Sequence, residues 1–206
     1  KLLEFTTDFI IKSKIKNNYI FVSTDSKKIA NFSKKKLVNV DFLRSKKLAK
    51  SDSIIDDAIF EFLNSDKFKS VNFQNLILLL PTQPFRSMKI FLKAIQIINK
   101  KNFKSVISVK NLNRSDKHIF KKKGNLLEIK TKIRSTNRQF IKSNYTPCGC
   151  FYITKLSEYK KNKSFYNNKT IALETSFPEN LDIDNLDDLK LANIIYKNKK
   201  KFKIIL

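Results

Sequence analysis

The stretch Leu76-Ile77-Leu78-Leu79-Leu80, followed by Pro81-Thr82-Gln83-Pro84-Phe85-Arg86, decides the fold. An unbroken apolar run of this length is the pattern of a strand buried on both faces, and Pro81 ends it because proline brings no N–H to a ladder. Directly behind it, Ser87 is placed to cap a helix whose apolar residues Ile90, Phe91, Ala94, Ile95 and Ile98 recur at helical spacing. Val106-Ile107-Ser108-Val109 then reads as the next strand. Strand, helix and strand joined by short links form a βαβ unit, so the chain is expected to be an α/β protein with a mainly parallel sheet.

Working outward, Leu2, Leu3, Phe5, Phe9, Ile10 and Ile11 predict an opening helix. Tyr19 to Ser23 is a short β-rich run, after which Asp25 or Ser26 is expected to cap a helix through Ile29, Ala30 and Phe32. Ser51 or Asp52 is expected to begin a third helix carrying Ile54, Ile55, Ala58, Ile59, Phe62 and Leu63. Residues from about 111 to 147 break the rhythm: they are polar, basic and hairpin-like around Gly124-Asn125, an excursion from the sheet. Gly149 to Thr154 returns as a strand, and Leu186 to Tyr196 reads as the closing helix. The whole of 1–206 reads as a single domain.

Composition narrows the function classes. The chain has 206 residues, of which 41% are hydrophobic, which suits a packed core rather than disorder. No apolar run approaches the roughly 20 residues that span a bilayer, so no membrane partner is expected. The formal net charge of +25 is almost all lysine, scattered in runs such as Lys34-Lys35-Lys36 and Lys121-Lys122-Lys123. Gly (2) and Trp (0) are scarce, and abundant Lys, Asn and Ile match the codon bias of an AT-rich genome. That charge reads as a solvated surface able to steer small anions, with no nucleic-acid partner expected. A basic nucleic-acid-binding protein is the alternative class, resting on net charge alone. Cys148 and Cys150, one glycine apart, read as two reduced thiols of a cytoplasmic protein, because pairing at that spacing is strained. His118, the only histidine, reads as a surface or packing residue.

In open α/β sheets, ligands sit beyond the carboxyl ends of strands. Three polar segments are expected there: Ser23-Thr24-Asp25, Pro81-Thr82-Gln83-Pro84-Phe85-Arg86, and Asp182-Ile183-Asp184 before the last helix. Two carboxylates two residues apart in extended chain point the same way and can hold a hard dication such as Mg²⁺ beside phosphates. Each carboxylate also has an ordinary reading, as a helix cap or a solvated neighbour.

The order of these segments resembles that of the acylneuraminate cytidylyltransferases. Val22-Ser23-Thr24-Asp25 with Ile29-Ala30 is similar to the family's V-S-T-D-x-x-x-I-A, and Phe42-Leu43-Arg44 with Leu48-Ala49 and Asp52 to F-L-R-P-x-x-L-A-x-D. Leu79 to Arg86 resembles L-Q-P-T-S-P-L-R, and Arg138-Gln139 followed by Gly149 and Tyr152-Ile153-Thr154 resembles R-Q…N-G-A-x-Y-I-T. Leu181-Asp182-Ile183-Asp184 with Asp188-Leu189 and Ala192 resembles I-D-I-D-x-x-x-D-L-x-x-A.

The resemblance implies a Rossmann-like nucleotidyltransferase of the nucleotide-diphospho-sugar transferase type. It implies transfer of CMP from CTP to the 2-hydroxyl of a nonulosonic acid, sialic acid or a relative. Asp182 and Asp184 would hold Mg²⁺ and be catalytic; Arg44, Ser53, Pro81 and Thr82 would contact the nucleotide; Arg138, Lys117 and Gln139 would meet the sugar. It also implies a homodimer built through the 111–147 excursion.

Four departures accompany it. The family's first strand and glycine-rich phosphate loop have no counterpart upstream of Lys1, so the stretch 1–206 alone is expected to be catalytically inactive. Ser45 stands where proline is usual, Leu80 where the family has Gln, and Cys148 and Cys150 flank Gly149 where N-G-A is usual. These leave a cytidylyltransferase for another keto-sugar acid such as Kdo, or an inactive relative, as the alternatives.

Overall fold

A computed structural model describes the chain except for residues 17, 37, 51, 70–71, 101, 113–120, 129–143, 203 and 205–206. The opening helix forms as its periodicity predicts, as α1 (Leu2–Lys12). The run from Tyr19 does not become a strand of the main sheet. It makes a single parallel bridge, Phe21 to Asn39, fastened by Val22 N to the Asn39 carbonyl (2.9 Å) and Asn39 N to the Ile20 carbonyl (3.0 Å). Helix α2 (Lys27–Lys35) follows, and its cap is Ser26, whose hydroxyl accepts from Ile29 N. A 3-10 turn at Lys46–Ala49 leads to α3 (Ile55–Leu63) and the short α4 (Asp66–Lys69). Helix α3 starts later than expected, with Ile54 as an uncapped N-cap. The hydroxyl of Ser53 donates to the Lys47 carbonyl at 3.0 Å, closing the turn before the helix.

The sheet contains β1 (Asn75–Leu78), β2 (Ser105–Asn111), β5 (Tyr145–Lys155) and β6 (Thr170–Glu174), in spatial order β1-β5-β2-β6. Helix α5 (Met88–Ile98) links β1 to β2 and is capped by Ser87, as expected. Because β5 is antiparallel to both β1 and β2 while β6 is parallel to β2, three strands share one direction and β5 alone is reversed. The sheet is therefore mainly parallel in direction but mixed in its pairing. Strand β1 is only half-buried, contrary to the expectation from its composition. Among the described residues it is the outermost strand, with β5 on one side, and local apolarity does not encode that position.

The excursion contains a two-stranded antiparallel hairpin, β3 (Lys121–Lys123) and β4 (Leu126–Glu128). Gly124 takes a left-handed φ of 58° at its turn, the conformation glycine accepts without a Cβ clash. After β5 the chain forms α6 (Leu156–Asn162), and after β6 it closes with α7 (Leu186–Lys197).

Helices cover both faces of the sheet. On one side Phe91, Ala94 and Ile98 of α5 and Ile10 of α1 pack on Val106, Phe151 and Ile153. On the other, Leu63, Phe68, Leu156, Tyr159 and Phe165 pack on Ile107 and Val109. Val106 and Ile107 thus serve opposite layers, the period-two alternation that a sheet sandwiched between helices requires. Phe91 is fully buried against α1 and β5. Its truncation in Phe91→Ala is expected to cost about 3–5 kcal/mol, read as a lowered denaturant midpoint at unchanged slope.

Candidate active site

The loop after β1 and the segment before α7 meet. Ile183 N donates to the Thr82 carbonyl at 3.0 Å, so Pro81-Thr82 and Asp182-Ile183-Asp184 lie side by side although 100 residues separate Thr82 from Asp182 in the chain. Pro81 is exposed, Thr82 and Asp182 are half-buried, and Asp184 is exposed. Neither Asp182 nor Asp184 caps α7. The cap is Asn185, whose side chain accepts from Asp187 N (2.9 Å) and Asp188 N (3.0 Å). Asp188 completes a capping box by accepting from Asp184 N (3.0 Å) and Asn185 N (3.1 Å). The box fixes the backbone of Asp184 while leaving both carboxylates out of the cap. Asp182 has a buried Oδ1 with no hydrogen-bond partner. A buried acceptor left unpaired is costly, and a cation ligated there would relieve it, so the donor set fits a hard dication such as Mg²⁺.

A second group forms around Arg44. Its N–H donates to the Thr24 carbonyl at 2.8 Å, and its Nη2 lies 3.9 Å from Asp25 Oδ1. Its Nε and the hydroxyl of Ser23 are buried without hydrogen-bond partners. The Ser23-Thr24-Asp25 segment and Arg44, taken separately from sequence, are therefore one cluster. Ser53 instead closes the turn after Lys47. Among the described residues no hydrogen bond or ion pair joins the Arg44 cluster or Ser53 to Thr82 or Asp182. Lys117, Arg138 and Gln139, the residues expected to meet the sugar, lie outside the described residues, as does His118.

Sequence reasoning gave no separate role to Arg86, which supports the loop from beneath. Only 3% exposed, it donates from Nε to the Cys150 carbonyl (2.6 Å) and from Nη1 to Thr6 Oγ1 (3.0 Å), and it also bonds the Leu80 carbonyl. Burial pushes its pKa down to about 10, so the guanidinium is still charged at neutral pH. The one cation thereby ties α1, β5 and the residue preceding Pro81 together. No local pattern could have revealed this, since Arg86 is 64 residues from Cys150 and 80 from Thr6. Arg86→Met removes three hydrogen bonds from a charged donor, each worth about 1.5–3 kcal/mol, although the Leu80 carbonyl keeps Gln83 N at 3.2 Å. Equilibrium unfolding of that variant is expected to show a loss of about 3 kcal/mol or more, with a smaller loss for Arg86→Lys.

Comparison with known proteins follows the same lines. The cytidylyltransferase family matches residues 1–202 of the chain. The CMP-N,N'-diacetyllegionaminic acid synthase of Legionella pneumophila is 33% identical over 178 residues, covering 84% of this chain and 75% of that protein. An N-acylneuraminate cytidylyltransferase of Escherichia coli is 26% identical over 207 residues, covering 98% of this chain but 48% of the relative. Among solved structures, CMP:2-keto-3-deoxy-manno-octonic acid synthetase complexed with CTP superposes with a TM-score of 0.62 at 8% identity, covering 96% of this chain and 88% of that one. The 4-diphosphocytidyl-2C-methyl-D-erythritol synthase of Anaerococcus prevotii gives 0.60 at 18% identity, covering 96% and 89%. The two structural likenesses establish the fold alone. The sequence matches go further: this chain belongs to the cytidylyltransferase family.

Proposed function

We propose that the protein transfers CMP from CTP to the 2-hydroxyl of a nonulosonic acid and releases pyrophosphate. The observation that carries this reading is the Ile183–Thr82 hydrogen bond, which sets the nucleotide loop against a carboxylate pair whose buried Asp182 oxygen has no hydrogen-bond partner. In the reaction the hydroxyl oxygen bonds to the α-phosphorus while the bond to the pyrophosphate oxygen breaks, with no covalent enzyme intermediate. Such a transfer depends on alignment and on neutralised phosphate charge. Asp182 and Asp184 would hold a Mg²⁺ ion, which when bound supplies phosphate neutralisation and polarisation of the phosphoryl oxygens. Pro81 and Thr82 carry the nucleotide along the loop, with Arg44 on the second cluster and Ser53 on the turn after Lys47. The Arg44 Nε, left without a partner, suits an anionic or carbonyl oxygen of the nucleotide.

Arg138, Lys117 and Gln139 are assigned to the acceptor, where an arginine fork matches a sugar carboxylate. The 111–147 excursion is assigned to a homodimer, and the enzyme to the cytoplasm. No described helix is long and apolar enough to cross a membrane. The 33% identical relative bears the name of a diacetyllegionaminic acid synthase, which favours an acylated nonulosonic acid over Kdo as acceptor. The Kdo synthetase contributes a likeness of fold at 8% identity.

The test is pyrophosphate release by the full-length protein with CTP, Mg²⁺ and a panel of legionaminic, sialic and pseudaminic acids and Kdo. Release is expected with an acylated nonulosonic acid. Asp184→Asn is expected to lower turnover about 10²-fold or more, the equivalent of about 3 kcal/mol of lost charge stabilisation. Release with Kdo alone, or equal turnover in the variant, would contradict the reading.

A further inference from the structure

Cys148 and Cys150 meet across Gly149. Side chains two residues apart in a regular strand share a face but stand roughly 6–7 Å apart along it. Here β5 slips its register against β2 between Ile107 and Val109, and Gly149 adopts a left-handed φ of 81°. The two sulfur atoms are brought to 3.5 Å, and both thiols are free. Glycine suits this position because L side chains rarely adopt that φ, and a Cβ would in addition press on Gln83 Nε2 at 3.2 Å and Leu80 Cδ1 at 3.3 Å. The strain expected of a one-residue spacing is thus partly taken up by the kink.

The surroundings make the two thiols unequal. Cys148 Sγ lies 3.1 Å from Thr175 Oγ1, while the Cys150 thiol is 3.5 Å from Gln83 Oε1 and 3.3 Å from the Glu179 carbonyl. The contact with the Cys150 sulfur holds the Cys148 thiol below its usual range, and the same contact together with burial pushes Cys150 up. Both thiols are buried, but Cys148 is 4% exposed and Cys150 only 1%, held against Gln83 and Glu179, which makes Cys148 the thiol an oxidant meets first and Cys150 the resolving one. The Cys150 carbonyl receives Arg86 Nε, and Arg86 also holds the Leu80 carbonyl at the root of the Pro81-Thr82 loop.

We propose that Cys148 and Cys150 form a reversible dithiol–disulfide site, oxidised by peroxide and linked through Arg86 to the loop at Leu80 to Gln83. The Cys148 sulfur attacks one peroxide oxygen, the O–O bond breaks, and the departing oxygen leaves as water with the thiol proton, giving a sulfenic acid. The Cys150 sulfur then attacks the Cys148 sulfur and expels the hydroxyl, which takes the Cys150 proton as a second water. Two thiols and one hydrogen peroxide yield one disulfide and two waters. Closing the sulfur atoms to a bonded distance of about 2.05 Å displaces the Cys150 carbonyl that Arg86 grips. A disulfide in so short a ring is strained, and strained disulfides are readily reduced by thiols.

The experiment treats the full-length protein with hydrogen peroxide, quenches with catalase, alkylates in denaturant and maps tryptic peptide 143–155, which contains both cysteines. The peptide is expected to lack two hydrogens and any alkyl group, to come from an uncross-linked chain, and to regain two alkylation sites after dithiothreitol. Cys150→Ser, lacking the resolving thiol, is expected to accumulate oxygen on Cys148 instead. Hydrogen exchange at the amides of Leu80, Thr82 and Gln83 is expected to rise in the disulfide form and recover on reduction. A doubly alkylated peptide at peroxide doses that convert Met88 to its sulfoxide would overturn the site. Unchanged exchange in the disulfide form would overturn the link. Neither readout depends on the proposed transferase activity.

Discussion

The buried Arg86 guanidinium is the constraint on which the candidate site depends. A charge this deeply enclosed is costly to desolvate, and it persists because its donors are spent on the carbonyls of Cys150 and Leu80 and the hydroxyl of Thr6. Those partners belong to β5, to the chain leaving β1, and to α1. The loop that follows Leu80 is therefore anchored by a rigid, forked side chain rather than by its own prolines alone. From that anchored loop the Thr82 carbonyl reaches Ile183, and the two carboxylates of the last segment take their place beside it. The α7 capping box adds a second fixed point by holding the Asp184 backbone. Preorganisation of this kind suits phosphoryl transfer, in which the protein has little covalent chemistry to do and much positioning.

The charge of the molecule is a separate matter from its site. Lysines scattered along the chain make a diffuse positive field, which attracts small anions without selecting among them. Selection would fall to fixed groups such as Arg44, whose Nε, like the neighbouring Ser23 hydroxyl, is buried without a hydrogen-bond partner. Unpaired polar atoms in both clusters, Arg44 and Ser23 on one side and Asp182 on the other, are what a protein retains where a ligand completes the hydrogen bonding.

Much of this was legible in the sequence because it is locally encoded. The helical spacing of Ile90, Phe91, Ala94 and Ile98 and the Ser87 cap gave α5, and the Gly124-Asn125 pair gave the hairpin turn. The carboxylate pair and the Pro81-Thr82 loop were legible through their order along the chain. What escaped was non-local. Composition alone makes β1 look doubly buried, while its outermost position among the described strands depends on which strand lies beside it. The reversed direction of β5 has no signature in side-chain periodicity, which is the same for either direction. The start of α3, expected at Ser51 or Asp52, falls later because Ile54 is the N-cap and no side chain caps it. The Asn185-Asp188 box was encoded locally and could have been read. The role of Arg86, by contrast, depends on partners that only the folded chain assembles.

The central claim is that Thr82 and the Asp182–Asp184 pair form one site for a metal-bound nucleotide. Isothermal titration of CTP into the full-length protein, with and without Mg²⁺, tests it most directly when repeated on Asp182→Asn. The account predicts that Mg²⁺ strengthens CTP binding in the native protein and that the substitution abolishes this enhancement without unfolding the chain. Equal CTP affinity with and without Mg²⁺, or an undiminished Mg²⁺ effect in the variant, would contradict it.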